Sequence, residues 1–451
     1  MMAAEGTSDR TRRRPSTGSP GEGREPASGR LRFAMFTTFY PPYSFGGDAI
    51  GVQRLARALV KRGHQVTVFH DSDAFDVLHS GPVPEAPESH DGVEVRPLSS
   101  RLGPVSALLT QQTGRPIVHG RRIRQLLERG RFDVIQFNNV SLVGGPGLLQ
   151  LGDALKVYEA HEHWLVCPSH VLWRHGRELC TGRQCLRCVL HYHRPPQLWR
   201  YTGYLERQLR HVDLFIAKSE FSRDKHAEFG FPRPMDVLPY FLPDAEDAVV
   251  SGAAAGRVPA HPRPYFLFSG RLEKIKGLDE VLPLFRGPSG ADLLVAGDGN
   301  HAPELRRQAA GAERIRFLGR VPPERLAQYY RGAIALLVPS LCFETFGIIL
   351  IEAFRQGTPV IARDIGPFPE IVRRCGGGEL FRGAAELQAA VRRLQEDPKH
   401  RERLAAAAAR GFIEHWSESA VVPRYLELLG KAAESSGRER LAAAIAMEAA
   451  A

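Results

Sequence analysis

Apolar residues in this chain cluster in short continuous runs. In the first half these are LRFAMFTTFY (31–40), QVTVFHD (65–71), DVIQFNN (133–139), LKVYEAHE (155–162), DLFIAKSE (213–220) and MDVLPYF (235–241). Between them the apolar positions recur every three to four residues, the spacing of amphipathic helices. A strand that is apolar on both faces must be covered on both, so the pattern predicts a parallel sheet flanked by helices. The stretch LPDAEDAVVSGAAAGRVPAHPRP (242–264) breaks the rhythm with Ala, Gly and Pro, as a linker does. Alternation resumes at YFLFSG (265–270), DLLVAGDG (292–299), IRFLGRV (315–321), IALLVPS (334–340) and TPVIARD (358–364). The expected fold class is α/β, with two doubly wound, Rossmann-like domains facing a central cleft.

The domain plan follows from these breaks. Residues 1–30, rich in Ser, Gly, Pro and Arg, have almost nothing to bury and read as a disordered tail. Residues 31–243 form the N-terminal domain with an insertion at 163–193, residues 244–264 the linker, and residues 265–412 the C-terminal domain. Residues 413–451 are expected to be helical, part of them packing back on the N-terminal domain.

Composition agrees with two soluble cores: 451 residues, 43% apolar and 24% charged. No run approaches the roughly 20 apolar residues needed to span a bilayer, and no secretory signal is legible at the N-terminus. A cytoplasmic protein is expected. The net charge of +10 favours an acidic partner: nucleic acid, an anionic membrane face or a phosphorylated small molecule.

Two segments carry chemistry. LCFETFGIILIEAF (341–354) sets Glu344 and Glu352 in almost wholly apolar surroundings, where an unpartnered carboxylate is costly. On a helix from about residue 346 to 356 they stand roughly 12 Å apart along the axis and about 80° out of line, so two parts of one extended ligand fit them better than one small group. SGRLEKIKGLDE (269–280) places Arg271 and Lys276 after a strand and before a helix expected near Gly277. A guanidinium fork, an ammonium and a helix N-terminus together suit a diphosphate.

GRLEKIKG followed by ETFGIILIEAFRQGTPVIA strongly resembles the donor half of glycosyltransferase family 4, retaining enzymes of GT-B architecture. The segment FYPPYSFGGDAIGVQRLARALVKRGHQVTVF (39–69) resembles the N-terminal part of the same family. The resemblance implies a glycosyltransferase of hexosyltransferase type, with the N-terminal domain binding the acceptor and the C-terminal domain the nucleotide-sugar. By it, Arg271 and Lys276 neutralise the donor diphosphate, Glu344 holds the transferred sugar and Glu352 the ribose. Backbone amides of Phe346, Gly347 and Ile348 cap sugar and phosphate oxygens, and Gly46 and Gly47 admit the diphosphate closely. In YEAHEHWLVCP (158–168), His161 is the family's candidate for approaching the sugar. The family commonly follows this histidine with Asp; Glu162 stands here, which leaves its own part open. The nucleoside-diphosphate sugar is a co-substrate, and no catalytic metal is expected. Front-face attack assisted by the leaving phosphate is the mechanism implied.

Cys167, Cys180, Cys185 and Cys188 are separated by twelve, four and two residues, which suits a structural zinc; free thiols are the alternative. Asp71-Ser72-Asp73 mimics a metal-chelating Asp-x-Asp but sits away from the donor motifs, and is read as coincidence. The segment HRPPQLWRYTGYLERQLRHVDLF (193–215) mixes Trp199, Tyr201, Tyr204 and Leu205 with Arg194, Arg200, Arg207 and Arg210. That mixture suits the inner face of an anionic membrane, with a lipid-linked or saccharide acceptor in polysaccharide or glycolipid synthesis; a solvated basic helix is the plain alternative. A nucleotide-sugar epimerase or hydrolase shares the architecture. A zinc-bearing nucleic-acid-binding protein would also be basic, but the basic residues form no recognition helix, and no nucleic acid is expected as partner.

Overall fold

A computed structural model describes residues 30–79, 84–85, 90–244, 260–287 and 290–449. The expected tail through residue 29 and the linker from 245 to 259 lie outside the described residues. The N-terminal half contains β1 (Arg32–Thr37), β2 (Gln65–Asp71), β3 (Glu94–Leu98), β4 (Val134–Phe137), β5 (Leu155–Ala160), β6 (Trp173–Arg174), β7 (Glu178–Leu179), β8 (Leu214–Ala217) and β9 (Asp236–Val237). All but β6 and β7 join one parallel sheet in the order β3-β2-β1-β4-β5-β8-β9. The C-terminal half contains β10 (Tyr265–Ser269), β11 (Asp292–Ala296), β12 (Ile315–Gly319), β13 (Leu336–Val338), β14 (Val360–Arg363) and β15 (Gly378–Phe381). These form a second parallel sheet in the order β12-β11-β10-β13-β14-β15.

Each sheet reverses its winding once, between β1 and β4 and between β10 and β13. Ligand crevices of doubly wound sheets open at the carboxyl ends of the strands beside that reversal. The loops after β1, β5, β10 and β13 lie at those ends, and they carry Gly46 and Gly47, His161, Arg271 and Lys276, and Glu344 in turn.

The strands that are apolar on both faces are the ones the pattern revealed: β5 is buried at all six positions and β10 at all five. Strands β3 and β15 were not foreseen, because only one residue of each, Leu98 and Phe381, is fully buried. Both are edge strands, whose side chains meet solvent. The run MDVLPYF shrinks to two residues of β9, since Pro239 has no N–H to continue the ladder.

Helices α1 (Gly47–Lys61), α2 (Ser72–Leu78), α3 (Pro104–Thr113), α4 (Gly120–Gly130) and α5 (Cys185–His191) belong to the N-terminal half. At the other end of the chain, helix Pro398–Trp416 starts on an Asp397 cap that accepts from the His400 amide. Ser417 then caps helix Glu418–Ser435 by accepting from the Ala420 amide. At this junction the chain crosses over. Val421, Val422, Tyr425, Leu426 and Leu429 enter the same core as Met35 of β1 and Val52, Leu55 and Leu59 of α1. The Tyr425 hydroxyl donates to Gln136 Oε1 on β4, and Glu448 reaches His64 Nε2 at 2.8 Å.

Because Leu429 is fully buried in that shared core, Leu429→Ala is expected to cost about 2–5 kcal/mol of stability. Denaturant unfolding checks this, and a loss below about 1 kcal/mol would detach the C-terminal helices from the N-terminal core.

Candidate functional site

The loops at the facing carboxyl ends enclose a cavity of about 380 Å³ lined by Gly46, Gly47, Asp48, His161, Glu162, Arg271, Lys276 and Glu344. At its floor Lys276 Nζ donates to Glu344 Oε1 at 2.7 Å. The Ser340 hydroxyl donates to the same oxygen at 3.0 Å. Burial alone would push the Glu344 carboxyl up, but the Lys276 ammonium and these two hydrogen bonds outweigh it and hold the carboxyl below its usual range. Burial likewise pulls Lys276 down, and Glu344 more than restores it, so the ammonium is held above its ordinary value.

Lys276 owes its position to the residue after it. Gly277 sits at φ +71°, and a Cβ there would come within 2.2 Å of the Pro339 carbonyl oxygen, so only glycine lets this loop lie against the end of β13. The helix expected near Gly277 does not form. Three short 3₁₀ turns, Lys274–Lys276, Leu278–Glu280 and Leu282–Phe285, take its place, broken by the left-handed Gly277 and by Pro283. The positive character here therefore rests on side chains and not on a helix dipole.

Arg271 is exposed and bonds Glu273 Oε1 at 2.8 Å. It stands between this cavity and a wider groove of about 1390 Å³ that Gly297, Asp298, Arg320, Val321 and Leu326 also line. Across the cavity, Gly47 faces the second domain: a Cβ on it would sit 3.2 Å from Ile348 Cδ1. Phe346, Gly347 and Ile348 line the cavity too, at the start of the α-helix Ile348–Arg355. That helix begins two residues later than the spacing predicts, because Gly347 takes φ +110°.

Glu352 is not among the residues lining the cavity. Its carboxylate lies 3.7 Å from Arg54 Nη2 of α1 and accepts from the Tyr330 hydroxyl at 3.1 Å. Burial pushes it up against the pull of Arg54. The two glutamates thus face different partners.

His161, in the cavity wall, is almost wholly buried. Its Nδ1 lies 2.5 Å from the Tyr240 hydroxyl and its Nε2 3.0 Å from Asn138 Oδ1. Burial, then the Lys218 ammonium, lower its pKa well below the usual value, so the ring is neutral near pH 7. Neutral, it donates from Nε2 to Asn138 and accepts from Tyr240. Its backbone carbonyl accepts from Thr345 Oγ1 at 2.9 Å, joining the domains directly behind Glu344.

Asp48, Lys218 and Glu159 are not singled out by the sequence, and Glu162, whose part it left open, gains a partner. Asp48, directly after the Gly-Gly pair, lines the cavity, and burial followed by the neighbouring Glu162 carboxylate pushes its carboxyl up. Glu162 bonds His170 Nδ1 at 2.5 Å. Under the floor, Lys218 and Glu159 pair at 2.5 Å, both almost fully buried. Two charges inside apolar strand runs were a legible signal for that pair.

The expected zinc is not assembled. Among the described residues no three of the four cysteines bring their sulfurs within 4.8 Å of one another, and none forms a disulfide. Three of the thiols have local partners: Cys167 meets Ser169 Oγ, Cys180 donates to the Gly182 carbonyl, and Cys188 accepts from the His175 amide. Of the membrane segment, Trp199, Tyr204 and Leu205 are buried in the N-terminal core, and the Arg200 guanidinium stacks on Trp164 and Trp199. Leu198 and Tyr201 remain exposed, at 66% and 62%. No helix among the described residues is long and apolar enough to cross a membrane.

The family described as Glycosyl transferases group 1 matches residues 256–411, and that described as Glycosyltransferase Family 4 matches residues 45–244. The chain is 28% identical over 415 residues to a D-inositol 3-phosphate glycosyltransferase from Nocardia farcinica, covering 83% of each protein. It is 32% identical over 204 residues to a phosphatidyl-myo-inositol mannosyltransferase from Mycobacterium leprae, covering 43% of this chain and 54% of the relative. Among solved structures it resembles HepE from Anabaena in complex with UDP, with a TM-score of 0.62, 19% identity, and coverage of 89% of this chain and 100% of HepE.

Replacing Lys276 by Met is expected to cost about 1.5–3 kcal/mol of stability near neutral pH. The cost should be level from about pH 5 to pH 10. Below that window the depressed Glu344 contribution is lost as pH falls through its folded-state value; above it the raised Lys276 contribution is lost as pH rises through its own. Unfolding of both proteins across pH tests this, and a difference that grows toward low pH would contradict the pairing.

Proposed function

The chain belongs to the family 4 glycosyltransferases, and from that premise we propose that it is a retaining hexosyltransferase whose donor diphosphate lies over the Lys276–Glu344 pair. The observation that carries the reading is that pair: an ammonium and a carboxylate kept charged at the floor of a cleft between two doubly wound domains. Arg271 and Lys276 meet the diphosphate oxygens, and the amides of Phe346, Gly347 and Ile348 add donors without side-chain charge. Gly46 and Gly47 bring the opposite wall close to the same phosphates. Glu344 accepts from hydroxyls of the sugar. Glu352 takes the ribose hydroxyls once it exchanges Arg54 or Tyr330 for them. The groove past Arg271, with Arg320 and Val321 on its wall, holds the base. The UDP held by the Anabaena relative supports a nucleoside diphosphate as the leaving group.

The chemistry follows from where charge appears. As the glycosidic bond breaks, the sugar becomes oxocarbenium-like and negative charge grows on the diphosphate, where fixed cations stabilise it. Double displacement needs two carboxyls about 5–5.5 Å apart. Here Glu344 is engaged by Lys276 and Ser340, and Glu352 by Arg54 and Tyr330, which supports front-face attack with the leaving phosphate taking the acceptor proton. A neutral His161 brings no positive charge next to the forming cation. Asp48 and Glu162, on the acceptor side, offer oxygens to acceptor hydroxyls. The family match gives no support to an epimerase, a hydrolase or a nucleic-acid-binding protein.

Glu344→Gln keeps the shape but removes the charge, and turnover should fall on the order of 10²-fold or more, with a stability cost comparable to that of Lys276→Met. Ordinary turnover by the folded variant would end this assignment. Arg271→Ala combined with Lys276→Ala should weaken nucleoside diphosphate by roughly 10²- to 10⁴-fold and leave nucleoside affinity unchanged. Calorimetry compares the two ligands, and equal weakening of both would move the diphosphate elsewhere.

A cytoplasmic location at the inner face of a membrane, on a lipid-linked or polysaccharide acceptor, deepens this reading. Its support is a surface shifted from the one the sequence suggests. Leu102, Val105, Leu108 and Ile117 are about half exposed or more around α3, beside Leu198 and Tyr201. Trp199 holds the two parts together by donating from Nε1 to the Gln111 carbonyl at 3.0 Å. Arg115, Arg121, Arg122 and Arg207 are exposed at its margin, and each arginine near an anionic leaflet contributes about 1 kcal/mol. Sedimentation with vesicles should show binding that requires anionic lipid, fades at high salt, and is lost in Leu108→Asp with Leu198→Asp. Absence of binding to any vesicle would leave a soluble acceptor.

A further inference from the structure

Asp71, at the end of β2, caps α2 by accepting from the Ala74 amide at 3.0 Å through Oδ1. Its other oxygen, Oδ2, is buried and has no hydrogen-bond partner, and the residue as a whole is 0% exposed. An ordinary helix cap stands in water; this one does not. Asp73, one residue into α2 and 4% exposed, accepts from the Ser100 amide at 3.1 Å and from the Ser100 hydroxyl at 2.6 Å. His119, which precedes α4 and is 3% exposed, points Nε2 at Asp73 Oδ2 from 3.4 Å without the alignment of a hydrogen bond, and that nitrogen has no other partner. One ligand atom from each of the three residues lies within 4.8 Å of the other two, the only such group of acidic, His or Cys side chains among the described residues.

Two buried carboxylates with one imidazole and no Lys or Arg partner among the described residues carry an electrostatic deficit. Burying an unpaired carboxylate costs several kcal/mol, and the remedies are protonation, toward which burial pushes Asp71, a cationic side chain or a metal ion. We propose that Asp71, Asp73 and His119 form a divalent-cation site for zinc or manganese, structural in role and separate from the donor cavity. One imidazole and two carboxylates suit either ion. Neighbouring ligands of a tetrahedral zinc at 2.0–2.1 Å stand about 3.3 Å apart, so the observed 3.4 Å between His119 Nε2 and Asp73 Oδ2 already has the right span. A fourth position falls to water or to Ser100 Oγ. The site is not a diphosphate chelator: both aspartates are inaccessible, and the Asp71 amide is itself tied to the Thr38 carbonyl behind β1.

The ion would fasten three segments distant in sequence: the β2–α2 turn, the exit of β3 through Ser100, and the entry to α4. Helix α3 hangs between the last two, so the site fixes the base from which its exposed apolar face projects. A metal that closes long loops in this way stabilises the folded chain.

The test is titration of chelator-treated, full-length protein with Zn²⁺ and with Mn²⁺, followed by calorimetry and by melting temperature. One saturable equivalent of one of these ions, with a raised melting temperature, is expected. His119→Ala and Asp71→Asn should each weaken binding at least about tenfold, whereas Cys167→Ser with Cys185→Ser should leave it unchanged. Spectra of the Co²⁺ form settle the ligand set even if a variant fails to fold, since oxygen and nitrogen donors give d–d bands without thiolate charge transfer. No saturable binding of either ion by the wild type, unaltered affinity in His119→Ala, or a thiolate band would each overturn the proposal.

Discussion

The ion pair between Lys276 and Glu344 is the contact on which the arrangement of the cleft depends. Each partner is half-buried and, alone, would be driven toward neutrality by loss of water. Together they remain charged, and the 2.7 Å hydrogen bond between them pins the loop after β10 to the loop after β13. That places one fixed positive and one fixed negative group at the switch point of the second sheet, ready for a ligand that carries both phosphate and hydroxyls. The strained glycines on either side, Gly277 and Gly347, are what the backbone requires to put the two side chains there.

The first domain meets this pair through polar contacts of the kind that can exchange. Thr345 donates to the His161 carbonyl and accepts, through its own carbonyl, from Ser219 Oγ. Glu370 accepts from the Glu220 and Phe221 amides at 3.1 and 2.9 Å, a carboxylate at the N-terminus of helix Glu220–Glu228, where the helix dipole favours it. Arg54 reaches Glu352 from α1. Apolar contacts cross here as well, Tyr240 against Phe346 and Phe221 against Phe343, and the C-terminal helices that cross at Ser417 add a further apolar link by joining the N-terminal core.

Much of this was legible in the sequence, and residue by residue the reason is local. Strands β5 and β10 are buried on both faces, so their apolar runs announced a parallel sheet. Glu344, Lys276, Arg271 and the Gly46–Gly47 loop are polar or backbone signals at strand ends, and the family's spacing of them carried through to the cavity. Less legible were edge strands β3 and β15, whose solvent faces blur the pattern, and the 3₁₀ turns after Lys276, where glycine geometry overrode helical spacing.

The sequence by itself determined the fold class, the alternation of the buried strands with helices, and the residue types gathered at the cleft, because burial on both faces and the chemistry of strand-end loops are written in short local windows. Tertiary structure alone decided which of those residues share one space. It set Glu344 against Lys276 but Glu352 against Arg54 and Tyr330, gave Cys167, Cys180 and Cys188 separate partners, drew Trp199, Tyr204 and Leu205 inward, and joined Asp71 and Asp73 to His119. Such pairings form between residues far apart in the chain, whose distance is set by how helices pack on the two sheets, and nothing in a local window encodes that distance.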